Sequence, residues 1–283
     1  RIVPRRGKRL FAKYMRAMLH AKNGCLSLGT GEMDYIRFGS GPRVLVMLPG
    51  VSDGLKTVRG MALPFALLYR AMARDFTVYV FSRRRQLRPH TTTREMAADV
   101  KTAMDALGLS EAALLGVSQG GMIAQWLAID HPEKVRRLVL TVTLAKPNAT
   151  VEAVVARWLE LAKRGDYKGI LLDTAERSYS PRRLHRAQLS YGLLGNIGKP
   201  QSFERFRIQA ESCVTHNAWE ELPRIVCPTL VIGGTEDAIV TGQASREIAS
   251  QIPGCQLYLY AGLSHSLYEE APDFLPRVMD FCR

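Results

Sequence analysis

The pentapeptide Gly116-Val117-Ser118-Gln119-Gly120, with Gly121 beside it, limits what this chain can fold into more than any other stretch. Ala-Ala-Leu-Leu precedes it at 112–115, an apolar run that reads as a buried strand. Met-Ile-Ala-Gln-Trp-Leu-Ala follows at 122–128 and reads as a helix. A serine between such elements sits at the tip of a sharp strand-to-helix turn, in a backbone conformation few residues adopt. Side chains two positions before and after it would collide, which explains both glycines. The amides of the helix that starts just after Ser118 point toward any negative charge developing there.

The flanking sequence repeats the alternation. Strands are expected at 35–38, 43–48, 76–81, 112–117, 135–142, 228–233 and 256–260. Helices are expected at 61–73, from an N-cap at Thr93 to a stop at Gly108, at 120–129, near 244–252 and near 272–281. Parallel β-α-β units follow, and with them a doubly wound, mostly parallel α/β sheet. Residues 144–226 break the rhythm. They are helical in pattern at 154–161, 167–178, 182–194 and 203–219, and hold no convincing strand. The expected organisation is therefore a core of 24–143 and 227–283, with a helical cap at 144–226 inserted between two core strands. Such an insertion would lie over the carboxyl ends of the strands, where open α/β sheets bind ligands.

Residues 1–23 stand apart as a basic amphipathic arm. Leu10, Phe11, Tyr14, Met15, Met18 and Leu19 recur at helical spacing between basic residues. One reading is an arm that docks on a membrane surface or a partner subunit. The other is an upstream extension, with Met18 serving as a start. The arm matters for the net charge of +13, because seven of the basic residues lie in positions 1–17, which hold no acid. The remaining +6 merely keeps a domain soluble. No basic stripe interleaved with aromatics suggests nucleic acid, and no run is long enough to span a membrane as a helix. Five scattered cysteines (Cys25, Cys213, Cys227, Cys255 and Cys282), without CxxC spacing, read as structural thiols of a reducing, cytoplasmic protein.

Six histidines compete for the role of base to Ser118. His20 and His131 read as surface residues, His185 and His216 fall in the insertion, and His90 lies in the loop after the third strand. His265, in Gly262-Leu-Ser-His265-Ser, follows the last strand and precedes the last helix. A loop there can swing an imidazole over the serine. An acid is offered where residues 229–234 run into Thr235-Glu236-Asp237, between Ser118 and His265 in the chain. Its role would be to hold the imidazole tautomer and stabilise the imidazolium. Glu236 and Asp237 both qualify on position.

Taken together, residues 32–281 resemble the α/β-hydrolase superfamily, especially its small esterase, lactonase and proline-iminopeptidase-like branch. The resemblance lies in the order: a strand ending in a Gly turn, the elbow serine, a helical cap, then Asp and His on late loops. It implies Ser118, His265 and Asp237 as catalytic triad, the family pattern G-x-x-D favouring Asp237 over Glu236. It implies an oxyanion hole from the backbone N–H groups of Gln119 and Val51, since Pro49-Gly50-Val51 stands where the family carries His-Gly. Ser52 and Asp53 are close enough to line the same pocket, and in the cap Trp158, Tyr179, Tyr191, Leu193 and Leu194 are candidates to line it. The chain departs from the family after the third strand, where Ser82-Arg-Arg-Arg-Gln-Leu-Arg88 replaces Asp-x-Arg-Gly-x-Gly-x-Ser. Either this is a solvated basic loop, or an arginine among Arg83, Arg84, Arg85 and Arg88 faces the pocket and favours an anion; Arg85 is the substrate-contact candidate. The expected chemistry is hydrolysis of a small to medium carboxylic ester or lactone through an acyl-enzyme, with a small molecule as partner and no metal or organic cofactor. Amide cleavage and carbon–carbon bond hydrolysis are alternatives on the same triad, and a non-catalytic binding protein is the alternative of another class.

Overall fold

The computed structural model of the chain describes residues 13–29, 31–195 and 197–283, with the side chains of 192–194 also left aside. Eight strands form one sheet: β1 (Lys22–Leu28), β2 (Gly31–Phe38), β3 (Arg43–Leu48), β4 (Phe76–Arg84), β5 (Ala112–Val117), β6 (Val135–Thr141), β7 (Thr229–Gly234) and β8 (Gln256–Tyr260). Their order is β1-β2-β4-β3-β5-β6-β7-β8. β2 pairs antiparallel with both β1 and β4, and every pairing from β4 to β8 is parallel. β3 thus has β4 on one side and β5 on the other, so sheet building reverses direction there. A crevice opens between the carboxyl ends of β3 and β5, where such sheets bind ligands.

The strands are recognisable in sequence except β1. Lys22–Leu28 carries mostly polar or small residues, and only Leu28 is fully buried. At the sheet edge one apolar contact suffices, so the hydrophobic signal is faint. The chain also joins the core before residue 24. Residues 13–18 are helical, Leu19 and Ala21 are buried in the same apolar cluster as Phe76 and Val278, and the Gly39 N–H donates to the Leu19 carbonyl at 2.8 Å. The expected arm therefore becomes part of the domain by Leu19; its first twelve residues lie outside those described. Among the described residues no helix is long and apolar enough to cross a membrane.

Around the sheet pack α1 (Ala62–Leu68), α2 (Thr93–Ala106), α3 (Gln119–Asp130), α8 (Gly242–Gln251), the short α9 (Leu267–Glu270) and α10 (Phe274–Cys282). α3 is buried from Gln119 to Ile129. Each large apolar side chain buried this way contributes roughly 1.5–3 kcal/mol, but its two glutamines need partners. The Gln125 amide donates to the Leu144 carbonyl at 3.0 Å, and Gln119 is paired as described below. α2 is capped one residue earlier than its sequence suggests. Thr92 and Glu95 form the reciprocal capping box, while the buried Thr93 hydroxyl receives the Trp126 indole N–H at 3.2 Å and contacts His216 Nδ1 at 2.8 Å.

Between β6 and β7 lie four helices: α4 (Ala149–Lys163), α5 (Tyr167–Ser178), α6 (Pro181–Leu194) and α7 (Glu204–Thr215). They have an apolar cluster of their own, in which Val154, Trp158, Ile170 and Phe206 pack with Met122 of α3 and Ile239 and Val240 beyond β7.

Candidate active site

Ser118 ends β5 and caps α3 with φ 54° and ψ −120°, a left-handed conformation outside the helix and strand wells. Close backbone approach on both sides enforces it. A Cβ on Gly120 would lie 1.9 Å from the Leu48 carbonyl oxygen, and one on Gly116 would lie 2.6 Å from that of Gly120. The Ser118 N–H extends the β6 ladder by donating to Thr141 at 2.9 Å. Its carbonyl accepts the Thr143 hydroxyl at 2.8 Å. The hydroxyl is thereby held above the crevice between β3 and β5.

His265 Nε2 lies 3.0 Å from Ser118 Oγ, and its Nδ1 lies 2.8 Å from Asp237 Oδ2. Asp237 comes from the turn after β7 and His265 from the loop after β8. The two loops are laced together: the Thr235 N–H donates to the Tyr260 carbonyl at 3.0 Å, and the Glu236 N–H to that of Leu263 at 3.0 Å. Asp237 Oδ1 accepts the N–H groups of Ile239 and Val240, each at 2.9 Å. Burial pushes the Asp237 carboxyl up, but His265 and these two amides outweigh it, and the group ends below the usual carboxylate range. The Glu236 carboxylate is exposed and accepts the hydroxyl of its neighbour Thr235, whereas Asp237 meets His265, so geometry selects Asp237 of the two acids. Both His265 and Asp237 are buried.

Gly50 approaches the serine closely, its Cβ position falling 3.4 Å from Ser118 Cβ. The next residue, Val51, opens a short 3-10 turn (Val51–Gly54). Among the described residues neither the Val51 nor the Gln119 N–H meets a backbone acceptor. The turn is braced by α7. Arg205 donates to the Asp53 carbonyl and to its carboxylate, and also to the carbonyls of Arg83 at 3.0 Å and Arg84 at 2.8 Å. The Asp53 carboxylate also accepts the Arg83 N–H at 3.0 Å and the Gln209 amide at 3.3 Å. Gln119 reaches the same helix, donating to the Gln209 carbonyl at 2.7 Å and to the Ser212 hydroxyl at 2.9 Å.

A pocket of about 230 Å³ opens beside this centre, lined by Val51 and Ser52, by Trp158, Ser178, Tyr179 and Tyr191 of the four-helix segment, and by Ser266, Tyr268 and Glu269 next to His265. Ser52 and Tyr191, expected as substrate contacts, are on its wall, as are Trp158 and Tyr179; the side chains of Leu193 and Leu194 lie outside those described. Asp53 and Arg85 are not part of that wall. Asp53 is turned away, buried beneath Arg205. Arg85 pairs with Asp34 at 2.6 Å and with Glu32 at the sheet edge. β4 continues through Arg84, two residues past the expected loop start, which sends these arginines elsewhere. Arg83 is buried against the Pro49 carbonyl, where burial pulls its guanidinium down to about 10 against the pull of Asp53. Arg84 binds Asp99 at 2.6 Å, and Arg88 meets Glu95 at 3.3 Å on the surface.

The other histidines are accounted for. His216 is buried between Thr93 and Gln125, and burial lowers its pKa to about 3, which makes it a neutral strut. His20, His90 and His185 are exposed, and the half-buried His131 lies 3.6 Å from Glu133. Burial is also the main cause that raises all five thiols, to about 12 for Cys213 and Cys282. None is an activated thiolate.

A family model described as the alpha/beta hydrolase fold matches residues 43–272. The chain belongs to the α/β-hydrolase fold family. A 2-hydroxymuconate semialdehyde hydrolase of Pseudomonas putida is 32% identical over 183 residues, 63% of this chain and 64% of that enzyme. A longer alignment, 269 residues at 29% identity, covers 89% of this chain but 12% of the polyketide synthase ThaQ of Burkholderia thailandensis. Among solved structures, the enol-lactonase of Burkholderia xenovorans superposes with a TM-score of 0.78 at 23% identity, over 91% of this chain and 99% of that one. As an α/β hydrolase, the chain carries the strand-to-helix elbow of that fold at Ser118.

Sequence reading did not single out the groups that brace this site. Arg205, Gln209 and Ser212 recur at i, i+4 and i+7, a polar stripe beside the apolar one of Phe206, Ala210 and Cys213. Thr143 gave no such signal.

Proposed function

We propose that this α/β hydrolase cleaves a carboxylic ester or lactone of a small to medium molecule through an acyl-enzyme on Ser118. The observation that carries the reading is the continuous hydrogen-bonded relay Ser118–His265–Asp237, with spacings of 3.0 and 2.8 Å, at the crevice between β3 and β5. Asp237 accepts the His265 Nδ1 proton, which leaves Nε2 as the lone-pair acceptor facing Oγ. His265 takes the serine proton as Oγ attacks the carbonyl carbon. The resulting oxyanion is received by the N–H groups of Val51 and Gln119. As the carbon–oxygen bond breaks, the imidazolium returns its proton to the leaving alkoxide, which stays tethered when the substrate is a lactone. Water then loses a proton to His265, attacks the acyl carbon and frees the acid and Ser118. The helical segment 144–226 serves as a cap that sets substrate size, since α4, α5 and α6 supply much of the pocket wall.

Carbon–carbon bond hydrolysis is the second reading, favoured by the P. putida relative, and the same relay would serve it. Labelling with a fluorophosphonate probe tests what both share. Wild-type protein should label and Ser118→Ala should not; equal labelling of the two in folded protein refutes the nucleophile. Turnover of p-nitrophenyl esters then separates ester chemistry from carbon–carbon cleavage.

A further inference from the structure

The loop that carries His265 is held from two directions. On the sheet side, the turn after β7 bonds to Tyr260 and Leu263. On the other side lies the carboxyl end of α5, in the helical segment between β6 and β7. The buried Ser264 hydroxyl donates to the Arg177 carbonyl at 2.6 Å, and the Ser266 N–H donates to the Ser178 carbonyl at 3.0 Å. Both neighbours of His265 are thus bonded to the last turn of one helix. These carbonyls are among the four that a helix leaves without an internal partner, so the loop satisfies them where it docks.

The contact continues beyond the loop. The Tyr179 hydroxyl donates to the Glu269 carboxylate at 3.0 Å. Glu270 accepts the Ser180 N–H at 3.0 Å and the Ser180 hydroxyl as well. Residues 177–180 and 264–270 therefore meet along one hydrogen-bonded seam, and Ser264 is its node. The Ser264 oxygen also receives the Ala238 N–H at 3.4 Å, from the residue after Asp237. One hydroxyl so joins the turn of the acid, the loop of the histidine and α5. Capping of α5 alone would not need the contact to Ala238. The same helix walls the pocket with Ile170, Leu171, Thr174, Ala175 and Ser178.

Resting on the relay proposed above, we infer that Ser264 is a positioning residue for catalysis, through which the carboxyl end of α5 holds the His265 imidazole between Ser118 and Asp237. The cap is then part of the catalytic apparatus as well as a wall of the pocket. Without the Ser264 hydroxyl, the loop keeps the Ser266 bond but loses its tie to both α5 and the turn of Asp237. A displacement of about 1 Å between reacting groups costs on the order of a hundredfold in rate.

Ser264→Ala, Ser264→Thr and Glu270→Ala in the full chain test this. The readouts are kcat and KM for p-nitrophenyl butyrate, the rate of fluorophosphonate labelling, and the urea midpoint. Ser264→Ala should lower kcat and the labelling rate by roughly ten- to a hundredfold, with KM within about threefold of wild type. Ser264→Thr keeps the hydroxyl and should recover most of both rates. Glu270→Ala opens the seam further from the histidine and leaves the bonds of Ser264 and Ser266, so both rates should fall by about threefold or more. It carries the test if Ser264→Ala does not fold. Wild-type rates in Ser264→Ala, whatever the urea midpoint does, overturn the inference and leave the serine a helix cap alone. A loss carried by KM instead of kcat also overturns it, as does one equally deep in Ser264→Thr. Failure of the relay itself looks different, since wild-type protein would then neither label nor turn over ester. Wild type that labels without hydrolysing ester loses the ester reading, while its labelling rates still decide the role of Ser264.

Discussion

The elbow that carries Ser118 and the helical segment that walls the neighbouring pocket are held in place by different means. The elbow is fixed by main chain: Ser118 at φ 54°, and glycines whose Cβ atoms would strike carbonyl oxygens. The helical segment is fixed by side chains, chiefly Arg205 on Asp53, Gln119 on α7, and His216 between Thr93 and Gln125. Backbone constraint tolerates almost no substitution and leaves its mark as a local motif. Side-chain constraint joins residues 90 to 152 positions apart and leaves almost none. On the proposed function, the chemistry of the site depends on the first kind and its substrate range on the second.

The largest expected effect lies at the elbow. Ser118→Ala should lower kcat for ester hydrolysis by about 10⁴–10⁶. It deletes a hydroxyl without touching the backbone, so the urea midpoint should hardly move. Measurable wild-type turnover in the variant would mean that the strained turn serves packing alone.

The next effect tests whether α7 supports the oxyanion donors. Arg205→Met leaves the Asp53 carboxylate buried without its ion-pair partner, which should cost about 3–5 kcal/mol in urea unfolding. Because Arg205 also holds the Asp53 carbonyl in the Val51 turn, kcat should fall by roughly ten- to a hundredfold, more than KM rises. Arg205→Lys should keep part of the stability through its charge but recover little kcat, since it lacks the fork that reaches four acceptors. Lost stability with kcat unchanged would make the contact purely structural.

What could be read from the residues follows the same division. The strands after β1, the elbow, His265 and the position of the insertion are carried by local patterns: aliphatic runs, glycine spacing, a histidine after the last strand. Asp237 needed the family order, because Glu236 satisfies sequence position equally well and only the folded contacts with His265 and the amides of Ile239 and Val240 separate the two. β1 was invisible because an edge strand needs little apolar surface. The arginines after Phe81 misled for a different reason. A run of cations announces charge but not where each side chain turns: three further strand residues in β4 (Ser82, Arg83 and Arg84) direct Arg83 inward and Arg84 to Asp99, and Arg85 just beyond the strand meets Asp34.

A smaller effect concerns the junction of α7 with α2 and α3. Burial holds the His216 imidazole neutral, with a pKa of about 3, against roughly 6.5 in an unfolded chain. Between these values the unfolded state binds the extra proton. This contribution is therefore complete above about pH 6.5 and is lost as pH falls toward 3, by up to about 1.4 kcal/mol per pH unit. Asp237 acts in the same direction but lower: its depressed carboxyl contributes above about pH 3.9 and is lost as pH falls further. Urea midpoints from pH 7.5 to 5 should thus decline in wild type and decline less steeply in His216→Gln, by about one proton. Parallel slopes would remove His216 as the group that loosens this junction in acid.

The smallest effect belongs to the basic loop after β4, which the sequence offered either as solvated surface or as a substrate contact. Arg88 is 87% exposed and its partner Glu95 lies at 3.3 Å. Long side chains paired in water lose as much freedom as they gain in attraction, so Arg88→Ala should change stability by less than about 0.5 kcal/mol. A salt bridge that far from the pocket wall cannot steer a bound acyl group either. The ratio of kcat/KM for p-nitrophenyl acetate to that for mono-p-nitrophenyl succinate should stay within about twofold of wild type. Long-range attraction of an anion by surface charge would act on association and fade with salt. A loss of succinate activity that vanishes at high ionic strength would therefore restore a steering role to the loop. A loss that persists in salt would place Arg88 in contact with substrate, and the cap would have to close much further over β4 than the pocket walls require.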